Sequence, residues 1–422
     1  MLKYVCSALC NLGERFSRPI GAGFCILALS FGSNVDVRTV EKPLPARAFI
    51  SVSDSDFSKS YRWAKVRDFA FSPDDKKMAV EVVAANADSA ITMSVVEWDF
   101  ASNRSTSQVQ LPNAVPADSG FAAAFHRTIE YTPDGSAVFV ESEGHVYRLN
   151  LTRDGLQQPI TYPLPADSSA SERVGRLFSV AADGDRVAVL AGQSSDSPDP
   201  GVVHIFRASS GEELAQWRLL TRVRSFALSA TGKEVLVSVA DPTNSNDIML
   251  VDALSGEVVR RFQSGLPTGP GVAVTAMFMD HQHFVVVPDG SSDRKGRYLA
   301  DVLKVFDSAS GTITRELTFD KWGPAGEAWV SRSGSMIAAL DLWMSPGHRR
   351  FNFGETGPSQ AKIAFFRLDQ PTRVCILGPL PESHERPRQS GFLRFSTDLE
   401  LAGLFGSGRV AVYSTSACTD EN

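Results

Sequence analysis

Residues 224–263 read RSFALSATGKEVLVSVADPTNSNDIMLVDALSGEVVRRFQ, four short β-rich runs with three kinds of punctuation between them. Residues 224–228 form the first run, and Ser229-Ala230-Thr231-Gly232 supply a tight turn. Residues 234–239 form the second run, followed by a polar loop at 241–246. Residues 248–252 form the third run, and Ala253-Leu254-Ser255-Gly256 turn the chain into a fourth at 257–262. β-Branched runs broken by Gly, Ser, Asp and Asn clusters read as a four-stranded antiparallel meander. One such sheet cannot bury both of its faces. It needs copies of itself on either side.

The chain supplies them. The end of the first strand and its turn recur at Phe71-Ser72-Pro73-Asp74-Asp75, Tyr131-Thr132-Pro133-Asp134-Gly135 and Val180-Ala181-Ala182-Asp183-Gly184. They recur again at Leu228, Phe278, Val330 and Phe395, each leading its own turn. Spacings between these leading residues are 60, 49, 48, 50, 52 and 65. Third strands recur in step, from Val95-Val96-Glu97-Trp98-Asp99 to Val410-Ala411-Val412-Tyr413, and several lead into Ser-Gly turns at 210–211, 255–256 and 310–311. Seven first strands and seven third strands agree.

This pattern resembles the WD-repeat and WD-like β-propellers over roughly residues 48–418. The resemblance implies an all-β ring of seven four-stranded antiparallel blades around a central channel. The chain departs from strict WD repeats: Gly-His pairs before the blades are missing, Trp-Asp stands only at Trp98-Asp99, and the repeats exceed the usual ~40–45 residues. A WD-like, bacterial-type propeller is the nearer match, and no partner follows from it. The last repeat ends without room for a fourth strand, while residues 48–52 read as a strand without a blade. That N-terminal strand is expected to complete the last blade and close the ring, because an open circle would leave a bare sheet edge.

Three parts are expected: a leader at 1–32, a linker at 33–47 and the propeller at 48–422. The leader joins Lys3, Arg15 and Arg18 to the apolar run 20–31, IGAGFCILALSF. It reads as a signal peptide or a short membrane anchor, which places the body outside the cytoplasm, periplasmic or secreted. Of five cysteines only Cys375 and Cys418 lie in the body. They are a disulfide candidate in an exported chain, and two free thiols stay open, since sequence separation says nothing of Cα distance.

A net charge of −6 without a basic stripe argues against nucleic acid as a partner. Chemistry-bearing motifs are few. Elbow, P-loop and complete dinucleotide fingerprints are missing, and His281-x-His283 falls in a turn with no third ligand in view, so neither a cofactor nor a metal is expected. The informative connection is the second-to-third loop at 341–360, DLWMSPGHRRFNFGETGPSQ. It carries Trp343, His348, Arg349, Arg350, Phe351 and Phe353, residue types enriched at binding hot spots. Arg294, Lys295 and Arg297 stand in the matching loop of the preceding blade and extend a basic sector. These nine residues are the candidate partner-binding set. The expected function is a non-enzymatic protein-binding or scaffold propeller using its long-loop face. The alternative is an enzyme or small-ligand binder of hydrolase, lyase or dehydrogenase type using the channel.

Overall fold

The computed structural model describes residues 38–40, 48–51, 63–85, 90–112, 129–142, 145–152, 154–162, 177–181, 183–191, 200–219, 221, 223–239, 247–265, 273–289, 302–318, 324–343, 360–369, 373–377, 393–406 and 409–419. Two short strands come first, β1 (Arg38–Val40) and β2 (Ala48–Ser51). Blade 1 follows as β3 (Trp63–Phe71), β4 (Lys77–Ala85), β5 (Ile91–Asp99) and β6 (Arg104–Gln110). Blade 2 has β7 (Ile129–Tyr131), β8 (Ala137–Ser142) and β9 (His145–Thr152), with its outer edge split into β10 (Gly155–Leu156) and β11 (Ile160–Tyr162). Blade 3 is β12 (Leu177–Val180), β13 (Arg186–Ala191), β14 (Val202–Arg207) and β15 (Glu213–Arg218).

The stretch quoted first is blade 4: β16 (Val223–Leu228), β17 (Glu234–Val239), β18 (Asp247–Asp252) and β19 (Val258–Gln263). Its four runs match these strands to within a residue at each end. Blade 5 is β20 (Ala273–Phe278), β21 (His283–Asp289), β22 (Val302–Asp307) and β23 (Ile313–Thr318). Blade 6 is β24 (Pro324–Val330), β25 (Met336–Trp343), β26 (Gln360–Arg367) and β27 (Arg373–Leu377). Blade 7 is β28 (Leu393–Phe395), β29 (Leu401–Gly406) and β30 (Arg409–Ser414), and a helical turn α1 (Ser416–Thr419) ends the described chain.

Burial explains why the blades need one another. Central strands such as β17 and β18 are buried on both faces, so each blade must be sandwiched. Among the described residues seven apolar clusters do this, one for each neighbouring pair of blades. The cluster that closes the circle joins Phe69, Phe71 and Val80 of blade 1 to Leu401, Val410 and Val412 of blade 7. Here Gly403 is required by close approach: a Cβ on it would lie 2.5 Å from Cε2 of Phe69.

The ring closes as the sequence implies. β2 pairs antiparallel with β30, Ala48 opposite Val412 and Ser51 opposite Arg409. The linker expected at 33–47 holds more than a linker, however. β1 adds to the outer edge of blade 6, parallel to β27, with Arg38 opposite Cys375 and Val40 opposite Leu377. Three residues carry too little periodicity for a sequence pattern to register them.

The first turns of blades 1, 2, 4, 6 and 7 are built alike, while Ala181 and Met279 stand at the hydroxyl position in blades 3 and 5, and this gives the Phe-Ser-Pro-Asp-Gly pattern its physical meaning. The buried hydroxyl accepts from the backbone N–H five residues on, at 2.9 Å for Ser72 and Thr132 and 3.1 Å for Ser229, Ser331 and Ser396. The acid accepts from the N–H two residues on, as Asp134 does from Ser136 at 3.0 Å. The last position has positive φ, met by glycine at 135, 184, 232 and 334 but by Asp75 in blade 1 and Leu399 in blade 7. Outer strands share a second device. The register skips one residue, at Thr106, Leu214, Val259, Thr314 and Val374, in blades 1, 3, 4, 5 and 6. Such bulges twist a sheet edge away from neighbours.

Candidate functional site

Of the nine partner-binding candidates, the structure describes one in part. His348, Arg349, Arg350, Phe351, Phe353, Arg294, Lys295 and Arg297 lie outside the described residues. Trp343 is the last residue of β25, with its backbone opposite Gln360 of β26. The loop read at 341–360 is therefore shorter, because Asp341, Leu342 and Trp343 continue the sheet and the connection is 344–359. Other strands run on in the same way: Ala84 and Ala85 belong to β4, and Pro288 and Asp289 to β21. Loop boundaries drawn at the first polar or small residue fall short, since a strand outlasts its apolar alternation when its partner strand does.

The first-to-second and third-to-fourth turns, which share one face of the ring in an antiparallel blade, are engaged with neighbouring blades. Tyr162 of blade 2 donates its hydroxyl to the Ala208 carbonyl at the third turn of blade 3, and Trp217 Nε1 of blade 3 reaches Ala253 O of blade 4 at 2.9 Å. Arg148 reaches Ser209 O at 3.0 Å, and Arg260 of blade 4 binds Ala309 O of blade 5. Aromatic rings lie over the glycines of these turns. A Cβ on Gly256, whose φ is +73°, would meet Trp217 Cγ at 2.6 Å. The first turns interlock as well, through Asp183 N to Ala230 O at 3.0 Å, Arg186 Nη1 to Gly232 O at 2.9 Å and Arg332 N to Thr397 O at 2.9 Å.

Toward the channel, blade 1 carries a group of charges that the periodicity did not disclose. The β3–β4 register skips Arg67, a bulge that re-aims its side chain. Arg67 Nη1 lies 2.9 Å from Oε1 of Glu81 and Nη2 lies 3.8 Å from Oε2 of Glu141 in blade 2. The next residue, Asp68, meets Arg394 of blade 7, Nε to Oδ1 at 3.2 Å and Nη2 to Oδ2 at 3.3 Å. Asp68 is 2% exposed and Arg394 6%, so this two-pronged pair is buried. Blade 1 is thus bound electrostatically to both neighbours. Blade 4 repeats the sequence as Val223-Arg224-Ser225-Phe226-Ala227-Leu228-Ser229, with the same skipped residue. There serines replace the acids: Ser225 and Ser238 share a 2.6 Å hydrogen bond, and Ser238 reaches Val274 O of blade 5 at 2.7 Å. A charged residue at an inward position of an otherwise apolar strand was the available signal.

Two of the described histidines are used locally. His283 Nδ1 lies 3.0 Å from Oδ2 of Asp280 in its own turn, and His204 Nδ1 lies 2.7 Å from Oε1 of Glu213 on the adjacent strand. Among the described residues no three His, Cys, Asp or Glu groups converge as metal ligands would. Cys375 of β27 and Cys418 of α1 are joined by a disulfide, Cα to Cα 5.4 Å, across the seam between blades 6 and 7.

One acid has an unusual setting. Asp75 holds positive φ at the seam between blades 7 and 1, and its Oδ1 is buried without a partner. Burial pushes its carboxyl up to about 6; a hydrogen bond from Ser396 opposes this, and the charges of Glu400, Asp398 and Asp74 add to it. Between the ordinary value of 3.8 and about 6 the folded chain holds a proton that the unfolded chain has released, so this group lowers stability as pH rises through that window. Asp99 and Asp252 work in the opposite sense. Backbone N–H groups of Ser102 and Ser255 lead in lowering them, and stability from them is lost as pH falls below their unfolded values. Asp75→Asn, which tolerates positive φ, is expected to raise the melting temperature at pH 7 and leave it unchanged at pH 3.5. Equal gains at both values would show that the carboxylate's charge is not the cause.

No family model matches this chain, and no curated protein matches it. Among solved structures it is similar to the β-propeller domain of Cps50 (Swd1) from Myceliophteria thermophila, with a TM-score of 0.50 and 12% identity, covering 84% of this chain and 97% of that one. It also matches hydrazine synthase from Kuenenia stuttgartiensis, with a TM-score of 0.49 and 14% identity over 74% of this chain and 83% of that one. Likeness at this identity speaks to the fold alone: the chain is a seven-bladed β-propeller of WD40-like architecture.

Proposed function

We propose that this chain is a non-enzymatic binding propeller that docks a protein partner on the face where its second-to-third and blade-to-blade connections emerge. The observation that carries this reading is the engagement of the opposite face. Short turns there spend carbonyls, guanidinium groups and aromatic rings on the neighbouring blades. A rigid ring whose short turns are engaged with neighbouring blades leaves the longer connections as the variable surface, where function usually resides. Channel-side acids of blade 1 support the same reading, since Asp68 and Glu81, opposite one another on β3 and β4, are each paired with an arginine. The anchor of the surface would be the connection after Trp343, with His348, Arg349, Arg350, Phe351 and Phe353, flanked by Arg294, Lys295 and Arg297. Export is part of the proposal: residues 1–32 have leader character, and a disulfide persists in an oxidising compartment.

The test is capture from native extract on the full body, with and without Trp343, Arg349 and Arg350 replaced by Ala. A partner retained by the native bait and lost from an equally stable variant is the expected result. Equal capture by both would remove the loop from the binding surface. A partner of neither bait would return attention to the channel as a ligand or substrate site.

A further inference from the structure

The blades differ in how their outer edges are finished. Blade 7 is completed by β2, and blade 6 is covered by β1 running parallel to β27. The described sheets of blades 3, 4 and 5 end at β15, β19 and β23. A bare edge is a template for another strand. The bulge gives these edges a common register: Arg260 in β19 stands where Cys375 stands in β27, each pairing with the inner strand just after the skipped residue. The three-residue segment that receives β1 in blade 6, Cys375-Ile376-Leu377, therefore corresponds to Arg260-Arg261-Phe262 in blade 4, Ala215-Gln216-Trp217 in blade 3 and Arg315-Glu316-Leu317 in blade 5.

Blade 4 stands apart among the three. Leu254 is 48% exposed, Val258 39% and Val259 55%, three of the four exposed large hydrophobic residues among those described. They precede two adjacent arginines. Arg261 is exposed, and Arg260 is held by a carbonyl, Ala309 O, rather than by a carboxylate. In blade 5 the corresponding Glu316 is balanced by Lys304 at 3.5 Å. A second copy of the chain is a poor occupant for this edge. Two-fold antiparallel pairing centred between Arg260 and Arg261 would set arginine against arginine, and like charges directly opposite destabilise a pair.

We propose that the outer edge of blade 4, at Arg260–Arg261–Phe262, takes an extended acidic segment of a partner protein as a parallel fifth strand, as blade 6 takes β1. Backbone hydrogen bonds supply the register, carboxylates meet Arg261, and apolar side chains of the segment cover Val258 and Val259. This surface is separate from the loop face proposed above, and either assignment stands if the other fails.

The experiment uses the full chain and the capped hexapeptide Val-Asp-Val-Glu-Val-Asp as probe. Its controls are the lysine analogue Val-Lys-Val-Lys-Val-Lys and the acidic peptide N-methylated at alternate residues. Binding is read by titration, and location by amide-exchange protection over residues 258–263. The acidic peptide is expected to protect this strand, and both controls to leave it unprotected. Arg261→Glu should weaken binding roughly tenfold, while the Trp343, Arg349 and Arg350 triple variant binds as the native chain does. Failure of the acidic peptide to bind, equal binding of its N-methylated form, or protection centred on β15 or β23 would each overturn the assignment.

Discussion

Replacing Arg394 by Met is expected to destabilise the protein by about 3–5 kcal/mol, the usual cost of removing one partner from a buried ion pair. The reason lies in what is left behind. Asp68 is 2% exposed and accepts the Phe69 N–H at 2.8 Å, so its carboxylate would remain in the seam between blades 1 and 7 without the guanidinium. The pair itself need not be a large net gain, because two charges were taken out of water to make it. An Asp68→Asn, Arg394→Met double variant should accordingly recover part of the loss. Chemical denaturation of the four proteins in the cycle would measure this. A single variant within about 1 kcal/mol of the native chain, the worth of an exposed pair, would mean that the seam is held by Phe69 on Gly403 and its apolar neighbours instead.

The contrast between what could and could not be read in the sequence has a physical basis. The blade repeat was legible because each turn is a local solution. Ser229 closes its turn through Glu234 N, and Gly232 supplies positive φ within the same few residues, so the signal is short-range and repeated. Ring closure was legible from arithmetic, a final repeat one strand short and a strand at the start without a blade. The charges of blade 1 were not. Arg67 reaches Glu141 in the next blade, and Asp68 reaches Arg394 at the far end of the chain, pairings fixed by the closed ring rather than by spacing. Blade 4 shows how weak the local signal is: the same Val-Arg-x-Phe-Ala frame there carries a serine network where blade 1 has Asp68 and Glu81. β1 was missed for a similar reason, since a three-residue parallel strand on a finished blade leaves no periodicity of its own. The candidate loop was found as composition, and its true boundary, after Trp343, follows from cross-strand pairing with Gln360.

Cys418→Ala should cost about 4 kcal/mol, from the loop-closure entropy of a cross-link over a sequence separation of 43 residues. The consequence is expected to be local before it is global. Cys375 lies in β27, opposite Arg38 of β1, and Cys418 lies in the turn that follows blade 7. The bond therefore fixes the chain's end to the blade that β1 completes, at the seam between blades 6 and 7. β2 pairs with β30 through residues outside this bond, so that closure of the ring is expected to survive reduction. Amide exchange should accelerate first in β1, β27 and α1, while β16–β19 across the ring keep their protection. Dithiothreitol should lower the melting temperature of the native chain to that of the variant and leave the variant itself unchanged. A native chain indifferent to reductant would show that α1 is held by burial against Trp329, Phe365 and Tyr413, the apolar group Cys418 joins, and that the covalent bond adds nothing to it.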